Sequence, residues 1–343
     1  MRMAGGALRA TAAAIFGLGL AAALSAAEAA DKVTMGTNWK AQAEHGGYYQ
    51  ALAEGIYEKY DLDVTIRPGG PQVNHAALLA AGRIDFNMAG NVLEALNFVQ
   101  SGVPMVAIAA MFQKEPQVLL AHPDVGIDGF EDLGDKTVLL SNDGRVTFWL
   151  WLQQAYGLSD DQVKPYTFNA APFIADKDAV QQAYVTSEPF TVQQQGGFDP
   201  KVLMMADAGY DTYASVLETS QKLIDENPDL VQRFVNATIE GWYGYLYGDN
   251  SKANALIKAD NPDITDEQIA FSIAQIKTYG IVDSGDSLEQ GIGVMTDERW
   301  KSFFEKTVGW GVYPADLPYE KAYTTRFVGK GHGLDLKKKL TGE

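Results

Sequence analysis

The residues able to do chemistry in this chain are few in kind and scattered in place. It contains no cysteine, which excludes thiolate nucleophiles, disulfides and a lipid-attachment cysteine. The four histidines, His45, His75, His122 and His332, lie far apart, and none stands in a metal-ligand spacing such as H-E-x-x-H. No G-x-S-x-G, P-loop or G-x-G-x-x-G occurs. What does gather is polar and aromatic. The stretch TNWKAQAEHGGYYQALAEGIYEKYDLDV (37–64) crowds Trp39, Glu44, His45 and Gly46-Gly47 where a strand should hand over to a helix. Such a group suits gripping a solute better than transforming one.

The elements that must position these residues follow from periodicity. KVTMGTNW (32–39) reads as a first strand. From Gly46 the spacing is helical, with Tyr49, Leu52, Ala53, Ile56 and Tyr60 at i, i+3, i+4, i+7 and i+11. LDVTIRP (62–68) alternates Leu62, Val64 and Ile66 with Asp63, Thr65 and Arg67, a strand stopped by Pro68. A turn at 68–74 and a short helix, HAALLAAG, lead to a third strand at RIDFNMA (83–89). This is the unit of a parallel α/β sheet.

The pattern restarts after VLLAHPDVG (118–126). KTVLL (136–140) reads as a strand, SNDGR (141–145) as a loop and VTFWLWLQQAYGL as a buried helix; VKPYTF and DAVQQAYVT supply two more strands. From about Leu217 the chain reads as helical. Its clearest helix begins at NPDLVQRFVNATIEGWYGYLYG (227–248), with Asn227 as cap and Pro228 just inside. The aromatic run in that helix has the spacing of a core face. Two α/β units with a helical return predict two lobes, 30–120 completed by 213–327, and 121–212, with a hinge between them and a mobile tail over 328–343.

In open parallel sheets ligands lie beyond the carboxyl ends of the strands. That rule selects Asn38 and Trp39 with Glu44 to Gly47, Asn87 to Asn91, Ser141 to Arg145, and Tyr184 to Glu188. Each has a second, structural reading. Trp39 is a stacking platform or a plug at the sheet edge. His45 bonds a ligand or caps a helix. Gly46-Gly47 leaves helix N–H groups open to an acceptor or allows tight packing. Asp143 and Arg145 face a ligand or pair with each other, and Glu188 is a site carboxylate or a surface one.

Composition bounds the partners. Met1 to Arg9 carries Arg2 and Arg9 and no acid, and Ala12 to Leu24 is unbroken small or apolar sequence followed by Ala27-Glu28-Ala29. These are the parts of a cleavable signal peptide over 1–29, and the run is short for a membrane span. The formal net charge is -17; without the leader's two arginines and one glutamate it is one unit more negative. That charge repels phosphate and argues against nucleic-acid or anionic-membrane partners. With 46% hydrophobic and 21% charged residues, a folded protein of roughly two domains is expected.

Several stretches together resemble the periplasmic solute-binding proteins of ABC importers, in the superfamily that also holds nitrate, sulfonate and taurine receptors. They are NWKAQAEHGGYYQALAEGIYEKYDLDVTIRPGG, LLAAGRIDF, FEDLGDKTVLL, TSEPF and NPDLVQRFVNATIEGW. Within it the chain is most similar to the branch binding thiamine-pyrimidine precursors, whose fold the fungal thiamine pyrimidine synthase shares. The resemblance implies an α/β type II periplasmic-binding-protein fold, two mainly parallel sheets flanked by helices. It implies a monomer that hands its solute to an inner-membrane ABC permease, with no cofactor and no catalysis. Trp39 matches a stacking tryptophan, and Tyr184 and Glu188 match a tyrosine and glutamate that hold an aminopyrimidine.

The implied solute is a hydroxymethyl- or formylaminomethyl-aminopyrimidine; the expected site joins Trp39, Tyr184 and Glu188 with Asn38, His45, Gly46, Asn91, Asn142 and Arg145 from the strand ends. A sulfonate-like anion on Arg145 and the Gly46-Gly47 amides, or riboflavin, is the alternative solute. A synthase-type enzyme is the alternative outside transport. Against it, Ala89 stands where the synthase has its cofactor lysine and Leu93 where it has its donor histidine, and the cysteine motif for iron has no counterpart.

Overall fold

The computed structural model describes residues 29–71 and 73–342; the signal peptide expected over 1–29 lies, but for its last residue, outside the described residues. Four strands open the chain: β1 (Asp31–Gly36), β2 (Leu62–Arg67), β3 (Phe86–Asn91) and β4 (Met105–Phe112). β2 keeps the alternation its sequence predicts, with Leu62 and Val64 buried and Asp63 and Thr65 exposed. All eight residues of β4 are buried, so its sequence, MVAIAAMF, carries no period of two to announce it.

The second sheet is built from β5 (Gln117–Ala121), β6 (Thr137–Leu140), β7 (Val163–Pro165), β8 (Ala179–Tyr184) and β9 (Lys201–Met204). The chain then returns to the first sheet as β10 (Ala214–Ser220). The strand orders are β2-β1-β3-β10-β4 and β7-β6-β8-β5-β9. In each sheet four strands run one way and one runs against them: β10 pairs antiparallel with β3 and β4, and β5 with β8 and β9. The reversed strand is in both cases the one that receives the chain from the other sheet. The expected mainly parallel sheets are therefore mixed. The helical segment expected from Leu217 starts only after Ser220, because 214–220 fills the slot between β3 and β4. The first passage between sheets falls at 113–116, a little before the expected change at 120, and the second at 205–213.

Helix α1 (Gly46–Ala53) follows β1, and α2 (Glu188–Gly196) follows β8. The long helix α3 (Pro228–Tyr247) starts where Asn227 accepts a hydrogen bond from the Leu230 amide at 3.1 Å. Its aromatic run is core: Trp242, Tyr243 and Tyr245 are fully buried. α1 and α3 pack at the distance only glycine permits. A Cβ on Gly46 would lie 2.0 Å from the Tyr245 ring, and one on Gly47 2.2 Å from the Trp242 ring. Residues 141–145, expected as a loop, contain a helical turn, Asn142–Val146, capped by the Ser141 hydroxyl, which accepts from the Gly144 amide. The segment expected to be a mobile tail carries helix α4 (Leu334–Thr341). Leu334 and Leu336 pack on the core, and Lys337 pairs at 2.8 Å with Asp283, a carboxylate only 3% exposed.

Candidate functional site

The first-sheet side of the crevice is the loop leaving β1. It is pinned by the chain that follows β2: the Gly69 amide donates to the Trp39 carbonyl at 2.9 Å, and His75 Nδ1 lies 2.9 Å from the Thr37 carbonyl. Asn38 and Trp39 are left half-buried at its tip. His45 is fully buried, with Nε2 3.1 Å from Asn38 Oδ1. Burial pushes its pKa down to about 3, so the ring is neutral, with Nε2–H donating to Asn38 while Nδ1 has no partner. It makes no side-chain cap on α1. Its role is to orient Asn38.

Deeper on this side, Asn87 near the start of β3 donates through Nδ2 to Glu94 at 2.6 Å and to Glu218 at 3.1 Å. Burial first, and the neighbouring Glu94 second, hold Glu218 well above the usual carboxylate range. The two acids therefore share a proton rather than ionise together. A cavity of about 520 Å³ opens here, lined by Thr37, Asn38, Asn74, His75, Asn87 and Glu94 among others. Asn91 accepts from the Leu93 amide at 3.0 Å and lies near Glu115, a residue in the passage between sheets, whose pKa it lowers slightly against the larger effect of burial.

On the second-sheet side the chain end of β8 folds back on itself. The Tyr184 amide donates to Glu188 Oε2 at 2.8 Å, and the Tyr166 hydroxyl lies 3.5 Å from Oε1. Glu188 opens α2, where the helix N-terminus favours a carboxylate. Burial nevertheless raises its pKa. Beside it, Trp39 and Phe168 meet with ring centroids 4.8 Å apart, and Phe168 lies 5.2 Å from Tyr166. A pocket of about 210 Å³ is lined by Trp39 from one side and by Tyr166, Phe168 and Glu188 from the other. Trp39 and Glu188, chosen from separate strand ends, thus share one pocket.

The second aromatic partner is Phe168, which the sequence reading missed. It is half exposed and holds a left-handed backbone, φ 61°, a conformation uncommon for a bulky residue and costly to keep. An aromatic pair just after the VKP strand was the available signal. Tyr184, by contrast, is the register partner of Gln117 in β5, and its hydroxyl is raised by burial and then by Glu115, Asp143, Glu44 and Glu188.

The remaining candidates divide. Asn142 and Arg145 are exposed on the helical turn after β6, and among the described residues Arg145 and Asp143 form no ion pair. Gly46 is buried under Tyr245, so the glycine pair serves helix packing and is closed to an acceptor. Glu44, selected among the strand-end residues but not among the expected ligand contacts, spans the two sides: its Oε1 accepts a hydrogen bond from the Thr186 hydroxyl. Burial pushes Glu44 up to about 7 and Glu115 up to about 8. Burial likewise raises Glu94. The crevice gathers carboxyl groups that among the described residues have no counter-ion, with aromatic rings at its mouth. Such a lining welcomes N–H donors and offers an anion no counter-charge.

These two five-stranded sheets, with a polar crevice at their strand ends, define the fold of periplasmic binding proteins. Residues 42–250 match the family described as NMT1/THI5 like, and the chain belongs to that family. It is 22% identical over 308 residues, 88% of this chain and 87% of the relative, to the riboflavin-binding protein RibY of Chloroflexus aurantiacus. The periplasmic aliphatic sulphonate binding protein SsuA of Escherichia coli superposes with a TM-score of 0.64 at 14% identity, covering 85% of this chain and 91% of that one. The desulfurization enzyme DSZB superposes at 0.57 and 12% identity, over 87% of this chain and 97% of that one. The fold alone therefore serves both carriers and catalysts. Ala89 and Leu93, the positions compared with the synthase lysine and histidine, are core residues 1% and 5% exposed.

Proposed function

We propose that this protein is the solute-binding component of an ABC importer, a periplasmic receptor and not an enzyme, taking a flat amino-bearing heterocycle of the thiamine-pyrimidine kind. The observation that carries the reading is the joint placement of Trp39 and Glu188 in one pocket between the two sheets. A planar ring lies on Trp39 and Phe168, and its amino group reaches the Glu188 carboxylate, a directional charge-assisted bond. Two chain passages between the sheets provide the hinge about which two lobes, β1–β4 with β10 and β5–β9, close on the solute. A permease in the inner membrane receives the loaded form.

Riboflavin is the second reading, favoured by the likeness to RibY over most of both chains. Its fused ring also suits the Trp39–Phe168 pair. A sulfonate fits less well, since the crevice is lined by carboxyl groups and Arg145 stands exposed.

The test is a thermal-shift screen of protein unfolded and refolded to remove carried solute. The panel holds thiamine, its hydroxymethyl and formylaminomethyl pyrimidine precursors, riboflavin, taurine and aromatic sulfonates. Ligand at 100 times its Kd stabilises by about 2.7 kcal/mol. A shift with the pyrimidines alone supports the first reading. A shift confined to riboflavin or to sulfonates replaces the solute and leaves the receptor.

A further inference from the structure

Behind the Trp39–Glu188 pocket lies a set of groups that the proposed heterocycle contacts do not use. Glu115 is fully buried in the passage between sheets; Oε1 accepts from the Gln117 amide at 3.2 Å and Oε2 has no partner. Glu44 is 2% exposed; Oε1 is held by Thr186 and Oε2 has no partner. The Tyr210 hydroxyl is buried and unpartnered as well. These groups are brought together by the chain. The Val185 amide donates to the Pro116 carbonyl at 3.0 Å, which sets Glu115 against the end of β8, and Thr186, one residue further, holds Glu44. Tyr184, two residues before Thr186, has its hydroxyl raised by burial and then by Glu115, Asp143, Glu44 and Glu188.

Buried polar atoms without partners are rare in folded proteins and each calls for a partner. Here a hydroxyl and two separate carboxyl oxygens lack one, the carboxyls on segments that the Val185–Pro116 and Thr186–Glu44 hydrogen bonds tie to the end of β8. Among the described residues no three acids or histidines converge as the ligands of a single metal ion. A partner with several N–H donors spread over its length answers the arrangement, and a positive charge restores the carboxylate form that burial disfavours.

We propose that the solute carries a cationic amine or amidine group which enters between Glu44 and Glu115, beside Tyr184 and Tyr210, beyond the aromatic pocket. This rests on the receptor reading above and specifies its ligand class. The aromatic mouth selects a planar ring, and the inner acids select the charge on its substituent.

The experiment compares matched solutes by calorimetry on refolded, solute-free protein. 4-Amino-5-aminomethyl-2-methylpyrimidine carries an ammonium where 4-amino-5-hydroxymethyl-2-methylpyrimidine carries a hydroxyl; benzamidine and its neutral analogue benzamide form a second pair, and calcium and zinc are run alone. In at least one pair the cationic member is expected to bind roughly tenfold or more tightly than its neutral partner, the scale of one charge-assisted hydrogen bond. That preference is expected to vanish in Glu115→Gln, with Glu44→Gln as the second variant should the first fail to fold. Equal or tighter binding of the neutral members overturns the cation site while leaving the receptor. So does binding of riboflavin or a sulfonate with neither pair bound, or saturable metal binding that both glutamine variants abolish. Absence of binding by any solute in this panel and the screen above overturns both readings.

Discussion

Trp39 and Phe168 meet across the crevice with 4.8 Å between ring centroids and 48° between ring planes, one ring from the loop after β1 and the other from the loop after β7. At that separation no third ring fits between them, so a planar solute lies against the pair or parts it. The contact joins the two sheets at the mouth of the pocket that holds Glu188.

Trp39→Ala removes one face of this pair. Stacking contributes on the order of 1 kcal/mol per ring, and a loss of that size is expected in the affinity for whichever aromatic solute the screen identifies. Calorimetry on the variant reads it directly. An unchanged affinity would take Trp39 out of the site.

Phe168→Gly separates binding from stability at one residue. The backbone sits at φ 61°, where glycine is at ease and phenylalanine is strained by about 1–2 kcal/mol. The variant is expected to melt within a few degrees of the parent, since strain relief offsets the lost ring contact, and to bind an aromatic solute more weakly. A large drop in melting temperature would show that the ring is structural.

Glu188→Gln keeps the shape and removes the charge. The Tyr184 amide retains an acceptor, so the β8–α2 corner is expected to survive, while an amino-bearing solute loses roughly 1.5–3 kcal/mol of binding. Affinity for the solute in parent and variant, with the ligand-free melting curve as control, decides this.

Gly46→Ala tests the other reading of the glycine pair. Its Cβ would stand 2.0 Å from the Tyr245 ring, and overpacking of that kind costs typically 1–3 kcal/mol. A clear fall in melting temperature is expected; a variant as stable as the parent would reopen the helix N-terminus as a place for an acceptor.

The buried acids predict how ligand-free stability follows pH. Glu44 and Glu115 titrate near 7 and 8 in the fold and near 4.3 when unfolded. Between those values the native state binds more protons, so stability falls as pH rises. His45, lowered to about 3, works the other way, but its contribution is complete once pH exceeds about 6.5. From pH 6.5 to 8 the raised acids dominate, Glu218 among them, and the melting temperature is expected to decline by the equivalent of about 2 kcal/mol or more. Glu115→Gln should flatten that decline; an unaltered slope would remove Glu115 from the account.

Much of the architecture was legible because its signals are local. β2 alternates with period two, α3 announces itself by Asn227-Pro228 and a helical apolar stripe, and the strand ends gather polar residues. Trp39 and Glu188 were chosen on that ground and share a pocket. What stayed hidden is non-local. β4 is apolar on both faces, and β10 is a strand only because a slot between β3 and β4 receives it. The Gly46-Gly47 pair looked open until Tyr245 and Trp242 arrived from about 200 residues away in sequence. Phe168 gave no periodic signal, since its position depends on a single left-handed residue.

By itself, then, the sequence determined the class of fold, the absence of thiol chemistry, the strongly acidic surface and the strand ends from which a site would be drawn, since each depends on residue type or short-range spacing. The tertiary structure decided which strand ends face one another and which acids lose water together. Glu44 and Glu115 are 71 residues apart in the chain, unremarkable by spacing, and only the passage between the sheets buries both beside Tyr184. Burial and proximity are properties of the folded chain, and they turn ordinary glutamates into the strongest chemical feature of the crevice.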